Sequence, residues 1–293
     1  MKTITFFSEK GGVGKSSFSI MLASWLYHQY GVSVAVADFN HRIKNYRNTE
    51  IRNRNEFIKK NPETDIKPFE LSKTWPIFEA FKQDVEEIRQ DGTPYPYAAW
   101  LKNRIKEEHL EDTQVLVCDF PGSLDDGSFM DLISLNLIGL TVIPTEKDEM
   151  TLSSTLKLAN SLKKFNKNYC CFINKAQVMM KNFRNGYLEL GKRLTKHGVR
   201  MLPDIISYSE RMMTIDKVDI LRSTFGFLDF SKEEFKNIND LGLQNLFIDV
   251  TKELNKTADL PGTSATNLDF VNSLNKRDDG RSFRGSAFPE YEI

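Results

Sequence analysis

The chain has little of what would assign it early. Three cysteines in 293 residues are too few for a disulfide framework at this size, and Cys118, Cys170 and Cys171 match no zinc or iron–sulfur spacing. All three stand in apolar runs, where a cysteine serves as a small buried hydrophobe. The four histidines, His28, His41, His109 and His197, share no ligand spacing. No stretch reaches the roughly 18 apolar residues of a membrane span, and residues 1–7 read as an opening strand, not a secretion signal. A cytoplasmic protein is expected. Net charge is also absent: 40 Lys+Arg balance 40 Asp+Glu, which removes a globally basic nucleic-acid binder and leaves only a local patch possible. There is no internal repeat, no Ser-His-Asp set and no paired-carboxylate arrangement. What is present, 40% hydrophobic and 27% charged residues, is the composition of a globular protein with a sizeable core.

Apolar, β-rich runs recur at 3–7, 32–39, 115–120, 140–144, 170–173 and 201–206. Between them lie helical patterns such as Phe18, Met21, Leu22, Trp25 and Leu26, closed by Gly31. Near-continuous apolar strands alternating with helices indicate an α/β fold, a mostly parallel twisted sheet with helices on both faces. The main domain is expected over 1–256. Residues 41–112 interrupt the rhythm as a polar, helix-containing insert at one edge, with helices expected at 76–89 and 97–108 and no core strand. Its first twenty residues carry Arg42, Lys44, Arg47, Arg52, Arg54, Lys59 and Lys60 against Glu50 and Glu56. That run is either a solvated face or a site for phosphate backbone or an acidic partner. A further helix is expected over 241–254. Residues 257–293, rich in Gly, Ser, Asn and Pro, are expected to lack fixed structure unless a partner orders them, and they lack the amphipathic stripe of a membrane anchor.

The strongest signal joins the first strand to the first helix: Glu9-Lys10-Gly11-Gly12-Val13-Gly14-Lys15-Ser16-Ser17. A strand, a glycine-rich turn and a helix N-terminus make an anion site, because backbone N–H groups point inward and the helix dipole favours negative charge. Lys15 would reach β- and γ-phosphates and the Ser16 hydroxyl would ligate Mg²⁺. The run resembles the phosphate loop of P-loop NTPases, with Glu9 where the common Gly-x-x-x-x-Gly-Lys-Ser/Thr form has its first glycine.

The extra lysine, Lys10, makes the likeness specific. Lys-Gly-Gly-x-Gly-Lys-Ser/Thr resembles the deviant Walker A motif of the ParA/MinD ATPases. That resemblance implies an ATP-bound homodimer in which Lys10 reaches the partner subunit's nucleotide. Residues 34–40, ending Asp38-Phe39-Asn40, resemble the family's second motif, and 115–122, Val-Leu-Val-Cys-Asp-Phe-Pro-Gly, resemble its Walker B strand and switch II turn, with Asp119 holding the Mg²⁺ hydration shell. Residues 143–149 resemble the strand end and helix start that contribute to the dimer face. The likeness covers 1–40 and about 113–255.

Base choice follows from chemistry. Asn174-Lys175-Ala176-Gln177 is superficially like a guanine motif, but a neutral Gln amide offers one acceptor oxygen where a carboxylate serves two guanine N–H groups. Adenine is preferred, and the resemblance implies that Asn174 and the loop after Leu202-Pro203-Asp204 would flank it. One departure bears on turnover. The family's second motif reads Asp-x-Asp, and here Asn40 replaces the latter Asp, so hydrolysis is slow, partner-dependent or carried by Asp38, or nearly absent.

By resemblance the chain is expected to be an ATP-dependent dimerisation switch that partitions or positions a cargo. Plasmid, chromosomal or mobile-element DNA, bound without sequence specificity, is the leading cargo, together with a stimulating partner protein. An ATP-binding scaffold serving a protein cargo or a secretion or conjugation apparatus is the alternative. Membrane positioning is disfavoured by the tail, and cluster or metal delivery by the cysteine spacing.

Overall fold

The computed structural model describes residues 1–63, 68, 74–79, 97–122, 129, 132–176, 181–207, 243–270 and 274. Seven strands, β1 (Lys2–Phe6), β2 (Val34–Asp38), β3 (Ile77–Glu79), β4 (Val115–Asp119), β5 (Leu140–Thr145), β6 (Tyr169–Ala176) and β7 (Met201–Ser207), form one sheet in the order β3-β2-β4-β1-β5-β6-β7. Every neighbouring pair is parallel. The described helices are α1 (Lys15–Ser24), which runs into a π-helical turn at Trp25–Gln29, α2 (Ile43–Lys60), α3 (Tyr97–Glu107), α4 (Glu149–Lys164), α5 (Lys181–Lys196) and α6 (Leu243–Asn255).

Strand alternation builds two cores, because successive side chains point to opposite faces. Ile4 and Phe6, Val34 and Val36, Val115 and Val117, and Cys170 and Phe172 join α1, Trp25, Trp75 and α6 on one side. Ala35 and Ala37, Leu116 and Cys118, and Cys171 and Ile173 join Trp100, Leu101, Leu158, Leu162, Leu190 and Leu194 from α3, α4 and α5 on the other. Both layers are buried and continuous, as a parallel sheet covered by helices requires. Cys170 and Cys171 therefore fall in different layers, all three cysteines are buried thiols, and burial pushes each thiol up, against reactivity.

The insert differs from the sequence expectation. Residues 77–79, placed at the start of a helix over 76–89, are instead edge strand β3, paired in register with Val36, Ala37 and Asp38. Its burial alternates intermediate, buried, intermediate, too short a signal to distinguish from a helix start. Residues 80–89 lie outside the described ones. The basic run at 41–60, unassigned to an element in the sequence, is almost entirely α2, and α3 matches the helix expected at 97–108.

The chain beyond 256 is not uniformly without structure. Leu260 and Leu268 are buried, the Leu260 N–H donates to the Met1 carbonyl at 2.8 Å, and Asp259 lies 3.7 Å from the Lys2 ammonium. Asn255 Nδ2 donates to Asp269 at 2.9 Å, Asn255 Oδ1 accepts from the Leu268 N–H at 3.1 Å, and Phe270 stacks on Tyr30 at 5.0 Å. Apart from Leu274, residues past 270 lie outside the described ones.

Candidate functional site

The sheet gathers the sequence-predicted residues at the carboxyl ends of its central strands. β1 leads into the loop, β2 ends at Asp38, β4 ends at Asp119, and β6 carries Asn174. The loop enters α1 through Gly14, whose φ of 88° is a left-handed conformation that side chains resist; a Cβ there would also lie 3.2 Å from the Phe18 ring. Gly11 and Gly12 are exposed, with no atom within 4 Å of an added Cβ, so open space lies over the loop. Val13 anchors it in the core, fully buried. Ser16 and Ser17 occupy the first turn of α1, partly exposed, with no carboxylate in that turn to compete for an anion.

Lys15 is 7% exposed and folds back over the loop, its ammonium donating to the Ser8 carbonyl at 2.9 Å and the Lys10 carbonyl at 3.0 Å. Burial lowers its pKa; Asp119 partly offsets this and the charge of Arg42 adds to it. Gly122, in the turn after β4, comes so close that a Cβ would lie 2.9 Å from the Lys15 ammonium and 3.1 Å from the Glu9 carbonyl. Only glycine permits that approach without displacing the lysine.

Asp38 and Asp119 are register partners on β2 and β4, and both are fully buried. Ser16 Oγ donates to Asp119 Oδ2 at 2.6 Å, and Asn40 Nδ2 donates to Ser16 Oγ at 3.4 Å. Asp38 accepts the backbone N–H groups of Asn40 and Lys44, both at 3.1 Å, which fixes the turn leading into α2. Burial raises the pKa of both acids, and with Asp38 as neighbour Asp119 is pushed up to about 7. A hydroxyl and a buried carboxylate held together beside a second buried acid fit a hydrated divalent cation. Ser16 would hold Mg²⁺ directly and Asp119 through its water shell, and Mg²⁺ would supply charge neutralisation at the phosphates.

Lys10 is held within its own chain, its ammonium 2.6 Å from Asp148 and 3.4 Å from Glu146. Asp148 also caps α4 by accepting from the Thr151 N–H at 2.9 Å. Desolvation alone would raise the Asp148 pKa, but its bonds to Lys10 and Thr151 outweigh that and hold it down to about 2. Glu146 also pairs with Lys175 at 2.9 Å, and Lys175, at a left-handed φ of 53°, donates to the Gly12 carbonyl. Asn174 Nδ2 donates to the Val13 carbonyl at 2.9 Å. Lys175 as a support of the loop, and the acids that hold Lys10, were missed in the sequence. Their signal is weak: a lysine beside Asn174, and Glu-x-Asp directly after a strand end. Pro203 lies inside β7, within the run read at 201–206, on the outermost strand where a residue without an N–H is tolerated. The residues following Ser207, and Gln177, lie outside the described ones.

A parallel sheet, a glycine loop capping α1 and a Lys–Ser–Asp cluster at the strand ends define a P-loop nucleotide-binding domain. The family described as CobQ/CobB/MinD/ParA nucleotide binding domain matches residues 4–220, and the chain belongs to that family. Among solved structures the chain is similar to a chain of the MinC:MinD cell division protein complex of Aquifex aeolicus (14% identity, 90% of this chain and 100% of that one, TM-score 0.55). It is also similar to the MinD cell division protein of the same organism (14%, 84% and 96%, TM-score 0.51) and to pnob8 ParA (14%, 86% and 97%, TM-score 0.53). At that identity the likeness is one of fold. No curated protein sequence matches the chain. No described helix is long and apolar enough to cross a membrane.

Proposed function

We propose that the protein is a ParA-like ATPase whose ATP-bound homodimer positions a cargo, with DNA as the leading cargo and a partner protein that stimulates release. The observation that supports this most is the double duty of Lys10. In the family pattern that lysine serves a second subunit's nucleotide, and here it pairs with Asp148 and Glu146 of its own chain. Docking of a second copy must exchange this intrachain pair for a phosphate contact, so ATP shifts the equilibrium only as far as it favours the exchanged state. Lys15, the loop N–H groups and Ser16 bind and neutralise the triphosphate, and Asp38 and Asn40 orient water near Ser16. Asn174 flanks an adenine. Gel-filtration sizing with ATP and with ADP tests the switch: the expected result is a dimer with ATP and a monomer with ADP, and a monomer in both overturns it.

Asn40 favours a second reading, an ATP-binding scaffold with little turnover. Its amide bonds Ser16 Oγ at 3.4 Å and cannot take a proton from water as a carboxylate could. Asn40→Asp is expected to raise basal hydrolysis several-fold in a phosphate-release assay. Equal rates in the two proteins would remove position 40 from the account. The A. aeolicus MinD was solved with MinC, and a protein partner on this chain is proposed by that analogy.

A further inference from the structure

Part of the positive charge that the sequence concentrates at 41–60 is engaged within the fold. Lys44 pairs with Glu79, and Arg47 is buried with its guanidinium 4.4 Å from the Trp75 ring centre, donating to the Trp75 carbonyl at 2.8 Å. At the end of the sheet away from the phosphate loop the fold assembles a second basic surface from two segments that the sequence keeps apart. α4 and α5 return the chain from the carboxyl ends of β5 and β6 to the amino ends of β6 and β7. Their C-termini therefore emerge at the edge away from the phosphate loop. There, residues 160–168 and 190–200 carry Lys163, Lys164, Lys167, Lys192, Arg193, Lys196 and Arg200 with no Asp or Glu. The two segments meet: a Cβ on Gly198 would lie 3.0 Å from the Lys163 ammonium, and the Tyr169 hydroxyl donates to the Gly198 carbonyl at 3.2 Å.

Arg200 pairs with Glu253 at 2.5 Å, and Lys167 donates to Asn136 Oδ1 at 2.7 Å, a neutral acceptor that leaves its charge in place. Lys163, Lys164, Lys192, Arg193 and Lys196 are exposed and have no ion pair among the described residues. Phe165 stands among them, 47% exposed. Helix C-termini favour one or two cations each. They do not account for seven cations set against one paired carboxylate, Glu253, a balance unlike that of the α3 surface, where Arg104 pairs with Glu107 and Glu108. Like charges this close repel, and a polyanion relieves them.

We propose that this end of the molecule binds the phosphate backbone of duplex DNA. The proposal rests on the reading of DNA as cargo and names the surface that would hold it. A duplex carries the dense regular charge that a cluster of mobile lysines matches without base contacts. A lipid surface would instead require a continuous apolar face, and two separate exposed side chains, Phe165 and Leu135, do not provide it. The surface lies away from Lys10 and the loop, so a second copy docking over the nucleotide leaves it open. It supplies affinity that is independent of nucleotide, and α2 is the other basic element of the fold.

The test compares wild type with Lys164→Gln/Lys192→Gln/Lys196→Gln and with Arg52→Gln/Lys59→Gln/Lys60→Gln on α2. Binding of a short random-sequence duplex is followed by fluorescence anisotropy over a salt titration, with and without ATP, and melting curves verify that each variant is folded. The first variant is expected to bind DNA about tenfold or more weakly without nucleotide, with a log–log salt slope shallower by about 3, since each phosphate contact contributes about 0.9. The α2 variant is expected to keep the nucleotide-free binding. If the first variant binds as wild type does while the α2 variant loses binding, the inference is overturned and the DNA reading stands. A wild type that binds no DNA with or without ATP overturns both. Loss of binding to phosphatidylserine vesicles with DNA binding intact assigns the surface to a membrane and also overturns the inference.

Discussion

Asp119 stores an electrostatic cost in the nucleotide-free protein. It is fully buried beside Asp38, and its pKa is pushed up to about 7 by burial first, then by that neighbour, against the opposing bonds from Ser16 and Asn40. An Asp in the unfolded chain titrates near 4. The folded state thus binds the proton more tightly, so this group's contribution is present at low pH and is lost as pH rises from about 4 to about 7. Asp119→Asn removes the penalty while keeping an oxygen for the Ser16 hydroxyl. The variant should melt higher than wild type at pH 8 without nucleotide, and the gap should close toward pH 4. At the same time it should lose the stabilisation that Mg²⁺ and ATP give wild type. A melting temperature at pH 8 equal to or below that of wild type would show that the buried charge costs the fold nothing.

At the scale of elements, the edge formed by α2 and β3 depends on one buried cation. Arg47 is 6% exposed, lies over Trp75 and donates to the Trp75 carbonyl, while Trp75 in turn donates to Ser24 Oγ at 3.2 Å. Arg47→Ala removes a charge-assisted hydrogen bond and a desolvated cation–π contact, and urea denaturation should show a loss of about 2–4 kcal/mol. Arg52→Ala, five residues on and exposed, should change stability by under about 0.5 kcal/mol. Equal small losses would mean that α2 is held by other contacts. This edge also marks the limit of what the sequence conveys. The five central strands were legible because each is a continuous apolar run buried on both faces, and the phosphate loop because glycines, lysine and serine stand at fixed offsets between a strand and a helix. β3 has three residues and only one buried side chain, and its place comes from pairing with β2, a contact no local pattern encodes. Arg47 looked like one more member of a basic run because a cation's burial depends on Trp75, 28 positions away. In the site, Asp38, Asp119, Ser16 and Asn174 converge as their motifs imply. The partners of Lys10 were not legible, since Asp148 meets it across 138 positions.

At the scale of the whole molecule, a net charge of zero conceals separate faces: the acids around Lys10 and the loop at one end, and an uncompensated basic cluster at the other. The same lesson applies to where the domain ends. Composition placed the boundary near 256, yet Leu260 and Leu268 are buried, and Asp259 faces Lys2 of the first strand. Isolated leucines in a polar stretch carry no periodic signal, and they become core residues only because α6 brings the chain back beside β1. Burying a leucine contributes about 1.5–3 kcal/mol. Truncation after Asn255 should therefore lower the unfolding free energy by about 3–6 kcal/mol in urea, whereas truncation after Leu274 keeps both leucines and the Phe270 stack on Tyr30 and should leave the midpoint close to that of the full chain. If the shorter form is as stable as the longer one, residues 257–270 do not belong to the folded unit, and the boundary returns to the end of α6.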